Sequence, residues 1–505
     1  MQPPSLTFWC FLGIIASTFI LQSAAGIDSQ QPFALLSTRT YEPATFVEHT
    51  AANPRVWLGI FRRDTASFAK RASEQDPVRA AAFATSFERL LRELELQIED
   101  GKGLNCIALC RLREEFLRAA GFRDIFKGIK EKENTEALRI LPSVLQYLDD
   151  EDAKKSKKND SNKESDRTPQ NCASKQVQEQ EHSKAVSLQH AHARLRNAMF
   201  GVFAGNIFDL GAEASIKHFE KEESDCSADV PPAGFVATSR WVRQRSLAVD
   251  DMQKFLDRAI TYDSKSKKAC LQYRKIMIFV DNCGADLVCG ILPLVREFLR
   301  LSPTTEIVLC ANEAPAINDI TAEELEGILN SLDSNLFCDH NEGVEQDCTD
   351  SSKLEDLKED DKNEGLSLLA SAVDCGRLRV VSSGNDMPVI DLRRVGKALN
   401  AEATSPSGKC DLVLLEGMGR AIETNLHAML TVDCLNLGMV RIGTLFFAFR
   451  LFFLSFDLFL AKLAKRIKIK HAEVAGLLGG LLYDSVCCFK PAIGTSPIAR
   501  NGSMN

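Results

Sequence analysis

Residues 275–319 read KIMIFVDNCGADLVCGILPLVREFLRLSPTTEIVLCANEAPAIND, and this stretch decides the fold. The apolar runs KIMIFV (275–280) and EIVLCA (306–311) are too short for helices and end abruptly in acids and amides. Between them, LVCGILPLVREFLRL spaces its apolar residues as a helix does. The pattern continues downstream: TAEELEGILNSL reads as a helix, and RLRVVS (377–382), DLVLLE (411–416) and LNLGMV (435–440) read as strands. Near-continuous apolar strands separated by helices predict a mostly parallel sheet covered on both faces, an α/β fold.

Outward from that core the chain changes character. Residues 43–148 are helical in pattern, as in ERLLRELELQIED and LREEFLRAAGFRDIFKGIKEK. Residues 149–184 hold almost no large apolar side chain, cannot offset their ordering entropy, and are expected to form a disordered linker or insertion. Helical pattern resumes over 185–270, passing through GNIFDLG. The α/β core runs over 271–490 with an acidic insertion at 334–365, and 491–505 form a tail.

The 505 residues carry 61 basic and 69 acidic side chains, a net charge of −8, so no global attraction to nucleic acid is expected. Sixteen cysteines follow neither disulfide-scaffold nor zinc spacing: no CxxC occurs, and Cys106 and Cys110 have no second pair. Buried free thiols in a reducing compartment explain them, and with the family resemblance below they point to the cytoplasm.

Two apolar stretches stand apart. LTFWCFLGIIASTFIL (6–21), followed by QSAAG, resembles a signal peptide over residues 1–26, which would direct the chain to secretion or an organelle. It lacks a basic start, and a mis-assigned start codon gives the same pattern, so both readings stay open. The block 441–468, RIGTLFFAFRLFFLSFDLFLAKLAKRIK, holds seven of the 29 Phe. It is long enough to span a membrane, but Arg450 and Asp457 inside it each cost roughly 3 kcal/mol at the bilayer centre. Membrane contact is expected only if this block belongs to the natural protein.

Open parallel sheets bind ligands at the carboxyl ends of their strands. Here those ends carry Asp281-Asn282-Cys283-Gly284-Ala285-Asp286, then Asn312 to Asp319, then Ser383-Gly384-Asn385-Asp386, then Glu416-Gly417-Met418-Gly419-Arg420. Such oxygen donors suit a hard divalent cation, and Arg420 offers a fork for a phosphate oxygen. Each has a plain alternative: Asp286 reads as a helix cap and Asp319-Ile-Thr as a capping arrangement. Their appearance together at four corresponding strand ends favours metal-assisted phosphate chemistry.

IFVDNCGAD, ANEAPAINDIT, SGNDMPVIDL, LVLLEGMGRAIETN and GVFAGNIFDLG together resemble the metal-dependent damage-control phosphatases, in the plant-type branch marked by EGMGR. They are similar also to the phosphatase domain of some pantothenate kinases. The resemblance runs from near Pro43 to near Lys490. It implies a helical N-terminal region packed on a three-layer α/β/α core. It also implies a divalent cation (Mn²⁺, Mg²⁺, Co²⁺ or Ni²⁺) on Asp281, Asn282 and Asp319. Asn206, Asp209, Glu416, Arg420 and Lys470 are then expected at the substrate. The implied partners are small phosphorylated metabolites, particularly 4′-phosphopantetheine and its damaged forms, in coenzyme A metabolism.

In relatives GMV leads directly to KHxEVA. Here the Phe-rich block intervenes before Lys470, as a translated intron would. For the mechanism, attack on phosphorus by a water that the cation would orient or acidify, with Arg420 and Lys470 stabilising the developing charge, is preferred to direct attack by Asp281, because Cys283 stands where covalent phosphatases carry a second Asp. The rival readings are a protein-carboxyl methyltransferase-like activity, disfavoured by the single glycine of DNCGAD, and a membrane-tethered binding protein.

Overall fold

The central strands of the main sheet are apolar on both sides, and the alternation of their side chains sorts them into two cores. The computed structural model describes residues 30–37, 54–97, 106–161, 172–208, 232, 234–332, 364–406, 408–439 and 484–492. Outside these fall the leader-like segment 1–26, Asp209, residues 334–363 of the acidic insertion, the block 441–468 and Lys470.

Five helices open the described chain: α1 (Pro54–Ser73), α2 (Pro77–Gln97), α3 (Cys106–Ala119), α4 (Lys127–Ser161) and α5 (Cys172–Phe208). After α6 (Phe235–Arg243) come β1 (Val249–Asp250), α7 (Met252–Ala259) and the antiparallel hairpin of β2 (Ile260–Asp263) and β3 (Lys268–Leu271). The core then runs β4 (Lys275–Phe279), a π-helical turn Asp286–Ile291, α8 (Leu292–Leu301), β5 (Glu306–Ala311), α9 (Ala322–Asn330), α10 (Glu364–Asp374), β6 (Leu378–Ser382) and α11 (Lys397–Ala403). It closes with β7 (Leu412–Glu416), a second π-helical turn Met418–Glu423, β8 (Asp433–Met439) and β9 (Ser485–Lys490).

The seven strands lie in the order β1-β9-β8-β7-β4-β5-β6, parallel except where β9 runs against β8. This is the expected α/β fold with a mostly parallel sheet. Ile276, Ile278, Ile307, Leu309, Leu412 and Leu414 face one layer, which contains α5 and α8. Met277, Phe279, Val308, Cys310, Val413 and Leu415 face the other, where Phe33 meets Phe279 edge-on at 5.6 Å. Burying a side chain such as Phe279 contributes about 2–3 kcal/mol. The N-terminal helices build a third core from Phe83, Phe87, Leu109 and Phe122, and Met387 and Val389 from the loop after β6 join it.

Two expectations change. The sequence predicts a disordered linker or insertion over 149–184, but α4 continues into it to Ser161 and α5 starts in it at Cys172. Its first residue is anchored: Asp149 takes Arg296, Arg194 and Arg300 at 3.0, 3.2 and 2.8 Å. Asp286, read as a helix cap, is not the cap residue, a place taken by Ala285; it lies within the π-helical turn itself, 1% exposed. Among the described residues no disulfide forms and no helix is long and apolar enough to cross a membrane.

Candidate active site

The strand ends that the sequence singles out meet at one edge of the sheet, and backbone pairing brings them together. Ile320 N donates to Asp281 O at 3.1 Å and Cys283 N to Asn318 O at 3.1 Å, so the loop after β5 is stitched to the loop after β4. Asn312 N and Ala322 N close the second side of the same loop through Ile320 O and Asn312 O. The Asp319-Ile-Thr stretch does start a helix. Thr321 Oγ1 accepts from Glu324 N at 3.2 Å, and the Glu324 carboxylate accepts from Thr321 N at 2.9 Å, a reciprocal cap for α9. Glu324 and Asp124 both hold the buried Lys130 of α4 at 2.7 Å, tying the helical region to this loop.

Asp281 and Asp319 face a single guanidinium. Arg420 Nη1 donates to Asp281 Oδ1, and Arg420 Nη2 donates to Asp319 Oδ2 at 2.7 Å and to Asn312 Oδ1 at 2.9 Å. Arg420 is 2% exposed. Burial pulls its pKa down to about 9, and it remains a cation at neutral pH. The sequence suggests a fork reaching for phosphate; the structure puts that fork on the two carboxylates.

The motif EGMGRAIETN builds this position residue by residue. Glu416 Oε2 accepts from Asp281 N at 3.0 Å and Oε1 from Asn206 Nδ2 at 2.6 Å. Gly417 has φ +91°, and a Cβ there would collide with the Asp281 carboxylate, so only glycine lets the two loops close. Thr424 Oγ1 and Asn425 Nδ2 donate to Gly419 O and Arg420 O at 2.7 and 2.9 Å, fixing the turn that carries Arg420.

Asn282 donates from Nδ2 to Asp281 Oδ2 at 3.2 Å and to Asp286 Oδ2 at 3.3 Å, and its Oδ1 accepts no hydrogen bond from the described residues. Asn206 likewise spends its amide hydrogens on carboxylates, and its buried Oδ1 has no hydrogen-bond partner among the described residues. Asp281, Asn282, Asp319, Asn206, Glu416 and Arg420 are therefore assembled; Asp209 and Lys470 are outside the described residues.

Three residues that the sequence places among the strand-end donors without a site role, Asp286, Asn312 and Asn385, are bonded into the site. Asn312 donates to Asp319 Oδ2 at 3.0 Å and accepts from Asn385 Nδ2 at 3.0 Å. Asn312 stands directly after β5 and Asn385 three residues past the end of β6, and that placement at strand ends was the available signal.

The donors fit a hard divalent cation. Asp281, Asp286, Asp319 and Glu416 are at most 6% exposed, and Arg420 is the guanidinium bonded to Asp281 and Asp319. Buried charge in such excess is costly without a compensating cation. Among the described residues no three His, Cys, Asp or Glu form a metal cage, so a cation held at this edge would need amide oxygens as well, and Asn282 Oδ1 accepts no hydrogen bond from the described residues.

The sequence profile of the damage-control phosphatase ARMT1-like domain matches residues 54–486. The chain belongs to this family. Damage-control phosphatase At2g17340 of Arabidopsis thaliana is 34% identical over 455 residues, covering 89% of this chain and 90% of that protein. Pantothenate kinase 2 of Arabidopsis thaliana is 30% identical over 483 residues, 92% of this chain and 42% of its own length. The 4′-phosphopantetheine phosphatase of Mus musculus is 27% identical over 446 residues, 81% of this chain and 45% of its own. The match thus spans less than half of the last two. A solved DUF89 family protein from Pyrococcus horikoshii aligns with a TM-score of 0.41 at 13% identity, covering 78% of this chain and 93% of that one. As a damage-control phosphatase the chain is a phosphatase by family, and the helical region matched by the profile is part of the unit.

Proposed function

We propose that this damage-control phosphatase hydrolyses small phosphometabolites, with 4′-phosphopantetheine and its damaged derivatives first among them, as a step that protects coenzyme A metabolism. The observation that carries the reading is the meeting of Asp281 and Asp319 across Arg420, with Asn282 Oδ1 open beside them. The substrate class is supported by the mouse relative's name and by the pantothenate kinase relatives.

Asp281, Asn282 and Asp319 are the proposed ligands of a divalent cation, Mn²⁺, Mg²⁺, Co²⁺ or Ni²⁺. When bound, such a cation supplies charge neutralisation at a phosphoryl oxygen and acidifies an attacking water. The remaining work falls to the chain. Arg420 is the guanidinium at this edge and the group to stabilise charge growing on the phosphoryl oxygens. Glu416 holds Asp281 through its backbone N–H, and Asn206 fixes Glu416 in turn. Asp209 and Lys470 are proposed to contact substrate, on the motifs that contain them. The cytoplasm is the proposed compartment, on the family resemblance and the thiol-rich composition.

The experiment is a screen of phosphorylated metabolites with each of the four cations, using chains with and without residues 441–468. Release of phosphate from 4′-phosphopantetheine, lost in Asp281→Ala, is expected. Cation-independent hydrolysis, or full activity in Asp281→Ala, overturns the reading.

A further inference from the structure

Asp286 is 1% exposed, and its side chain is bonded into the middle of the site. Its two oxygens are divided. Oδ1 accepts from Asn206 Nδ2 at 2.6 Å, and Oδ2 accepts from Asn282 Nδ2 at 3.3 Å and from Asn282 N at 3.4 Å. Its backbone is pinned as well: a Cβ at Gly205 would stand 2.9 Å from Asp286 Cα, so α5 approaches this turn more closely than a side chain at 205 allows.

The consequence lies in the amide of Asn282. An ionised carboxylate only accepts hydrogen bonds, so the edge of an amide that meets two carboxylates must be its NH₂ edge. Asp281 Oδ2 and Asp286 Oδ2 together claim that edge. The carbonyl oxygen, the only atom of this side chain that can ligate a cation, is thereby turned the other way. Were Asp286 neutral and able to donate, Asn282 could rotate and present its NH₂ group to the cation instead.

We propose that Asp286 is a positioning residue that holds Asn282 with Oδ1 toward the divalent cation. Through Asn206 it also shares a frame with Glu416 and so with Asp281. This rests on the cation reading above and extends it to a residue that touches neither cation nor substrate.

The test is the affinity of the purified full chain for Mn²⁺, measured by isothermal titration calorimetry, beside its melting temperature without added metal. Asp286→Asn is expected to weaken Mn²⁺ binding by about 10–100-fold, the usual loss when a partner of a metal ligand is changed. Its melting temperature should stay level or rise, because a buried negative charge is gone. Activity should return at saturating Mn²⁺. Asp286→Ser, which cannot claim the amide edge with a carboxylate, is expected to weaken binding likewise, so a folding defect of one variant does not decide the matter. A merely structural role would lower the melting temperature and leave the affinity of the folded fraction unchanged. If the wild-type chain binds Mn²⁺ and both variants bind within threefold of it, this inference falls while the cation reading stands. If the wild-type chain binds neither Mn²⁺ nor, in the same titration, Mg²⁺, Co²⁺ or Ni²⁺, both fall.

Discussion

Replacing Arg420 by Met tests whether its guanidinium stands in for a cation. The side chain is 2% exposed and its partners Asp281 and Asp319 are 6% and 1% exposed. Removing one partner of a buried ion pair costs about 3–5 kcal/mol, mostly for the charge left behind. Here two carboxylates are left, so the metal-free variant should lose at least about 3 kcal/mol in urea denaturation. An added divalent cation relieves the same repulsion in the variant, whereas in the wild type it must share the carboxylates with Arg420. A difference of about 1.4–2.7 kcal/mol between the two cases is 10–100-fold in affinity. Arg420→Met should therefore bind Mn²⁺ about 10–100-fold more tightly while hydrolysing phosphate esters about 100–1,000-fold more slowly, the loss typical of a transition-state charge donor. Calorimetry gives the first quantity and initial rates at saturating Mn²⁺ the second. Unchanged metal-free stability, or weaker Mn²⁺ binding, would refute the reasoning.

Two further outcomes follow from the same turn. Gly417→Ala forces a side chain into the Asp281 carboxylate at φ +91°, which costs about 1–3 kcal/mol of backbone strain before any displacement. Phosphatase activity should fall at least tenfold with only a modest drop in melting temperature, and full activity would contradict the packing. Burial pushes the Glu423 carboxyl from 4.5 up to about 7. The folded chain thus keeps this proton to higher pH than the unfolded chain, and stability declines as pH rises between those values and is level above them. Glu423 is half-buried, so the effect is discounted to about 1–3 kcal/mol. Denaturation should find Glu423→Gln more stable than wild type by that amount at pH 8 and equal to it at pH 4; equal stability at both values would contradict it.

The sheet was legible because parallel strands buried on both faces leave unbroken apolar runs, as in KIMIFV and EIVLCA. The hairpin of Ile260–Asp263 and Lys268–Leu271 and the strand Ser485–Lys490 were missed, being short and interleaved with polar residues; Val249–Asp250 is two residues long and leaves no pattern. The start of the 149–184 segment misled because composition cannot show that Asp149 meets Arg194, Arg296 and Arg300 from distant helices. The assembly of Asp281, Asn282 and Asp319 was foreseen from strand-end logic and family resemblance together. The direction of Arg420 was not, since a Gly-x-Gly turn shows where an arginine starts and not which oxygen it reaches. Asp286 resembled a cap for a similar reason: a carboxylate opening a helix looks the same whether it bonds its own backbone or Asn206, 80 residues upstream.

The most direct measurement is anomalous diffraction from a crystal of the chain soaked in Mn²⁺. One strong peak is expected within about 2.0–2.4 Å of a carboxylate oxygen of Asp281, a carboxylate oxygen of Asp319 and Oδ1 of Asn282. A peak elsewhere, or clear density for Arg420 bridging Asp281 and Asp319 with no Mn²⁺ at saturating concentration, would contradict it.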